Sequence, residues 1–99
     1  MATSKPFKNF VVEQLSLLDN ITCRPMMGGY LFYYNGILFG GLYADRFLVK
    51  IVDSNKKYNL KEEEPYEHAK LMYLIENLDD QELIRDIVID TCHDLPIKK

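Results

Sequence analysis

Apolar and polar positions change period along this chain, and each change marks an element. From Ser4 to Asn20, the positions Phe7, Phe10, Val11, Gln14, Leu15 and Leu18 recur at the i, i+3, i+4, i+7 spacing of a helix with one inward face. Ser4 is a natural N-cap and Pro6 suits the first turn, so a helix of about four turns is predicted, ending near Asp19 and Asn20.

The next stretch turns apolar and aromatic, in short runs: residues 21–26, 30–34, 37–43 and 47–52. Asn35-Gly36 separates two of them, and both residues tolerate the positive φ that a type I′ hairpin turn requires. A second reversal is predicted at Asp45-Arg46. Strict alternation then sets Tyr34 opposite Ile37, Phe32 opposite Phe39 and Leu31 opposite Gly40, with Gly41 between Tyr30 and Lys50. Leu31, Tyr33, Leu38, Gly40, Leu42, Phe47, Val49 and Ile51 are the expected core face. Tyr30, Phe32, Tyr34, Phe39, Gly41, Tyr43, Leu48 and Lys50 form an aromatic second face that needs a cover.

Residues 53–67 are polar and charge-rich, which predicts a surface segment with a short helix near Lys56 to Leu60. A strand is expected over residues 69–75. Asp79-x-x-Glu82 reads as a capping box opening a second helix, with Leu83, Ile84, Ile87, Val88 and Thr91 inward and Pro96 as its stop. The expected architecture is therefore α+β: an N-terminal helix, an antiparallel β-meander of four to five strands, and a C-terminal helix packed on the sheet. No linker or repeat divides it, so residues 1–99 are expected to be one domain.

Composition narrows the functions. With 99 residues, 47% of them hydrophobic, the chain can bury a core. Its net charge of −3 argues against coating nucleic acid by bulk electrostatics, which needs many cations to replace phosphate counterions. The charge is uneven: residues 1–50 hold five basic against three acidic residues, and residues 51–99 hold seven against twelve. An anionic partner is thus expected at the first half. Neither a secretory signal nor a long apolar span is read, so the cytoplasm is the expected compartment, where Cys23 and Cys92 would be reduced.

Chemistry-bearing motifs are sparse. Cys23, His68, Cys92 and His93 lack the close spacing of zinc ligands, so neither metal nor cofactor is expected. A Cys–His nucleophile built on Cys23 or Cys92 is the less favoured enzymatic alternative, and no catalytic residue is assigned. Gly28-Gly29 and Gly40-Gly41 match neither phosphate-loop pattern and suit bulges or close backbone packing. The aromatic face with Arg24, Arg46 and Lys50 nearby offers a second function, direct nucleic-acid binding by base stacking.

The run Arg24-Pro25-Met26-Met27-Gly28-Gly29-Tyr30, followed by Tyr34-Asn35-Gly36-Ile37-Leu38-Phe39 and Phe47-Leu48-Val49-Lys50, resembles the N-terminal domain of the TfoX (Sxy) family. That family carries an R-x-M-F-G-G-Y-type motif entering a hairpin with a D/N-G turn. Here Met27 replaces the usual phenylalanine and Leu31 a common glycine. The resemblance implies a bacterial, non-enzymatic regulator linked to transcription and competence. It would act through a protein partner, such as the transcription machinery, or as a homodimer. Arg24, Gly28, Gly29, Tyr30 and Lys50 are the candidate binding residues, Arg24 and Lys50 for charge, Tyr30 for stacking or hydrogen bonding, and the glycines for close approach.

Overall fold

The computed structural model describes residues 3–95. Helix α1 (Lys5–Gln14) begins as expected, with the Phe7 N–H donating to Ser4 Oγ at 3.3 Å. It ends a turn early. The N–H groups of Ser16 and Leu18 bond three residues back, a tightening that ends the helix yet still delivers Leu15 and Leu18 to the core. Phe10, expected inside, is 38% exposed.

Strands β1 (Ile21–Met26), β2 (Gly29–Tyr34), β3 (Ile37–Leu42), β4 (Phe47–Val49), β5 (Lys61–Glu63) and β6 (Met72–Leu74) form one antiparallel sheet in the order β1-β2-β3-β4-β6-β5. The α+β architecture is the expected one with one strand more. That strand, β5, comes from the segment predicted to be loop. Its Lys-Glu-Glu sequence suits a sheet edge, where charge discourages pairing with another chain, and Pro25 blunts the opposite edge by lacking an N–H. A 3-10 helix (Asp53–Tyr58) precedes β5.

Three two-residue turns with positive φ at both positions drive the meander: Met27-Gly28 (46° and 85°), Asn35-Gly36 (51° and 80°) and Ala44-Asp45 (52° and 59°). The last lies one residue before the predicted Asp45-Arg46 turn. Tyr43 and Arg46 exchange both backbone hydrogen bonds, at 2.9 and 3.1 Å, and so close the loop. Gly41 consequently faces Leu48, not Lys50.

A bulge at Phe39 corrects the predicted faces. Tyr33 pairs with Leu38, but Phe32 pairs with Gly40, so Phe39 is the extra residue and the alternation changes phase there. Phe39 at the bulge and Leu42 after it both reach the core. Cross-strand pairing then gives one row Cys23–Phe32–Gly40–Val49–Tyr73 and another Arg24–Leu31–Gly41–Leu48–Leu74 on opposite faces. The first row meets the helices: Phe32, Phe39, Leu42, Phe47, Val49 and Tyr73 cluster with Val11 and Leu15 and with Ile84, Ile87 and Val88. Phe32 stacks on Phe39 at 6.3 Å and meets Phe47 edge-on at 5.8 Å. The aromatic face of β2 is therefore the core, and Leu31, Tyr33 and Leu38, expected inside, lie on the far face.

Helix α2 (Gln81–His93) buries Ile84, Ile87, Val88, Thr91 and Cys92. Asp80, one residue beyond the predicted cap, accepts the Leu83 N–H at 3.0 Å. Pro96 lies outside the described residues. Among those described, no helix is long and apolar enough to cross a membrane.

Candidate functional site

The sheet face away from both helices is bordered by residues 64–71, and one side chain holds that segment. Arg46, at the end of the β3–β4 turn, donates from Nη1 to Glu63 Oε1 and to the Glu64 carbonyl, both at 2.9 Å, and from Nη2 to the Pro65 carbonyl at 3.0 Å. Its Nε reaches back to the Tyr43 carbonyl at 3.1 Å. A planar fork of donors suits this multiple bonding. The bonds from Arg46 and Lys61 hold the Glu63 carboxyl below its ordinary value. With the segment fixed, Pro65 is buried and the Tyr66 ring lies 6.2 Å from that of Tyr43.

Two grooves open beside it. The first, about 530 Å³, lies over the sheet and is lined by Leu31, Leu38, Lys50, Lys70, Leu71 and Met72 among others. The second, about 570 Å³, runs from Met26, Met27 and Gly29 to Ala44, Arg46 and Glu67. Tyr43, Pro65 and Tyr66 line both, so the two form one continuous surface.

The five candidate residues are not one cluster. Arg24, exposed on edge strand β1, and Lys50, just past β4, share the open face three strands apart, Lys50 lying two residues beyond Leu48 in the cross-strand row of Arg24. Tyr30 points to the opposite, helix-covered side, half-buried against the core, with Lys8 Nζ 5.7 Å from its ring centre. Gly28 occupies the left-handed turn position, and its carbonyl accepts the Thr3 N–H at 2.7 Å. Gly29 is needed for space: a Cβ there would overlap the Leu42 carbonyl oxygen. Gly29 and Lys50 line the grooves; Arg24, Gly28 and Tyr30 do not.

The candidate surface contains residues that sequence patterning did not single out. Met27, at the hairpin tip, is 98% exposed, Tyr66 is 61% exposed and Leu71 is 48% exposed. The signal available at Met27 was an apolar residue directly before Gly28-Gly29 between two expected strands, where the structure forms a turn with Met27 at φ 46°. Behind the sheet, a buried polar group was also missed. Asn55 Nδ2 donates to the Lys50 carbonyl and to Thr91 Oγ1, both at 2.8 Å, while its Oδ1 accepts the Val52 N–H at 3.1 Å.

A family model described as the TfoX N-terminal domain matches residues 13–90. The chain belongs to that family. No curated protein and no solved structure matches it. The matched span takes in the whole sheet and, except for Leu95, the lining of both grooves of this TfoX N-terminal domain, and the motif resembling the family's, residues 24–30, forms the end of strand β1, its turn and the start of β2.

Burial pushes the Cys92 thiol up to about 12 and raises Cys23 as well, away from the thiolate that a nucleophile requires. Among the described residues, no three His, Cys, Asp or Glu side chains stand close enough to hold a metal ion. Elsewhere, Asp90 accepts the Tyr58 hydroxyl at 2.5 Å and pairs with Lys57 at 3.0 Å, which lowers its pKa and joins α2 to the 3-10 helix.

Proposed function

We propose that this TfoX N-terminal domain is a small cytoplasmic, non-enzymatic interaction domain. It acts through protein contacts in transcriptional regulation. One observation carries the reading: Met27, Tyr66 and Leu71, the three most exposed large hydrophobic residues among those described, all line the joined grooves. A contiguous apolar surface of this kind gains free energy when a partner covers it. Membership of the family supports a regulatory role, and the thiols, raised by burial, argue against nucleophilic catalysis. Direct nucleic-acid binding loses most of its expected stacking residues, because Phe32 and Phe39 are in the core and Tyr30 and Tyr34 pack against it, which leaves Tyr43 and Tyr66 as the rings lining the grooves.

The test compares wild type with Leu71→Asp by sedimentation and by affinity capture from the native cell. The wild type captures a stoichiometric protein or sediments as a dimer, and Leu71→Asp loses that contact with an unchanged melting curve. A strict monomer that captures nothing contradicts the proposal. So does binding to duplex DNA that weakens steeply with salt and with Lys50→Ala.

A further inference from the structure

We infer that residues 64–71 form a strap that opens as a unit from the sheet, with Arg46 as its latch, and that opening merges the two grooves into one trough. What this does for a partner rests on the interaction reading above; the motion itself does not.

The segment leaves β5 at Glu63 and rejoins the sheet at Met72, the first residue of β6. Of its eight residues only Pro65 is buried; Ala69 is half-buried and the other six are exposed. Little apolar surface therefore holds it down, whereas the sheet rests on Phe32, Phe39 and Phe47, each 0% exposed. A segment so poor in buried contacts opens at a lower free energy than the core beside it. It also carries its own turn. The Ala69 N–H donates to the Tyr66 carbonyl at 3.1 Å, with His68 at φ 66°, so the strap keeps a shape when it leaves the sheet.

Arg46 supplies what burial does not. Its guanidinium donates to two strap carbonyls, those of Glu64 at 2.9 Å and Pro65 at 3.0 Å, and to the Glu63 carboxylate at the base of the strap. Its own position is fixed from the other side, because Nε donates to the Tyr43 carbonyl within a turn closed by two backbone bonds. One side chain thus joins the β3–β4 turn to the strap, and a planar fork of five donors is the group that can do so. Lysine keeps the charge and loses the fork. Tyr43, Pro65 and Tyr66 line both grooves, so lifting the strap parts Tyr66 from Tyr43 and removes the wall between spaces of about 530 and 570 Å³. Tyr66 and Leu71 ride on the strap. A partner that covers them meets its surface assembled only while the latch holds, and its apparent affinity falls with the closed fraction.

The experiment is cleavage of the folded domain by trypsin, with the products identified by mass spectrometry. Lys70 lies in the strap and Lys50 just past β4, so the two cuts report strap opening and wider unfolding separately. Arg46→Lys and Glu63→Gln are each expected to raise the rate of the cut after Lys70 about fivefold and to leave the cut after Lys50 unchanged. Glu63 lines neither groove, so its variant tests the latch without altering their lining. Should Arg46→Lys lose the fold by circular dichroism, Glu63→Gln decides alone. An unchanged Lys70 rate overturns the latch. Both cuts accelerating together means that the strap opens only with the whole domain, and that also overturns the proposal. The domain is used alone, so this test succeeds or fails separately from the capture experiment.

Discussion

Asn55 and Arg46 illustrate how single polar side chains position this domain's surface. Asn55 is fully buried and satisfies three groups from three places: the end of β4, the start of the 3-10 helix, and α2 through Thr91. Thr91 Oγ1 continues the chain by donating to the Ile87 carbonyl at 2.7 Å. Replacing Asn55 with leucine leaves the Val52 N–H and the Lys50 carbonyl to lose partners in a dry interior. Each such loss costs about 1–3 kcal/mol. Asn55→Leu is therefore expected to lower the urea midpoint by the equivalent of about 3 kcal/mol; an unchanged midpoint would mean that water or a backbone shift replaces the amide. Neither role was visible in the sequence. An asparagine in a lysine-rich polar stretch looks like any solvated residue, because its partners lie 36 positions away in α2 and on the far end of β4.

Among the elements, the hairpin that carries the family-like motif joins stability to function. Met27 adopts a left-handed backbone at φ 46° with its side chain in solvent, a combination that favours neither folding nor solubility. Asparagine tolerates this conformation, and Asn-Gly is the preferred type I′ pair. Met27→Asn is expected to stabilise the domain by about 0.5–1 kcal/mol in thermal melts and to weaken capture of its partner. A stabilised variant with undiminished capture would remove Met27 from the interaction surface. The same hairpin logic explains which parts of the fold were legible. Asn35-Gly36, the Ser4 cap and the inward face of α2 depend on local sequence and were readable. The Phe39 bulge was not, because a strand of Ile-Leu-Phe-Gly-Gly-Leu carries apolar residues at both phases and only tertiary packing decides where alternation breaks. The Ala44-Asp45 turn was missed for a related reason: neither residue announces positive φ, and the loop is closed by Arg46, whose side chain also secures residues 63–65. β5 escaped notice because its charges suit an edge strand and a loop equally.

For the molecule as a whole, the unseen bulge had one large effect. Without it, the aromatic residues of β2 were placed on an open face and Leu31 and Leu38 inside, which is the reverse of what is found, whereas Leu42, Phe47 and Val49 after the bulge are in the core as expected; the turn shift moved the β3–β4 pairing by two residues and changed no face. The two helices cover the aromatic side, and the opposite side keeps an aliphatic groove with lysines at its margin. Of the candidate residues, Lys50 and Gly29 line the grooves, although the sequence reading set them beside the aromatic face; Tyr66, in the polar segment, and Lys70 and Leu71, in the strand expected over residues 69–75, were not named, because no local pattern shows that they border the open face. The first-half positive charge was legible, and Arg24 and Lys50 both sit on the open face. The account's central claim is that this face, and no other, meets a partner protein. Site-specific photocrosslinking tests it directly, with a benzophenone side chain placed in turn at Tyr66 and Leu71 on the grooves, and at Val12 and Ile89 on the helices. Crosslinks to one protein from residues 66 and 71, with none from 12 and 89, are the predicted result. Crosslinks of equal yield from all four positions, or from the helical positions alone, would contradict it.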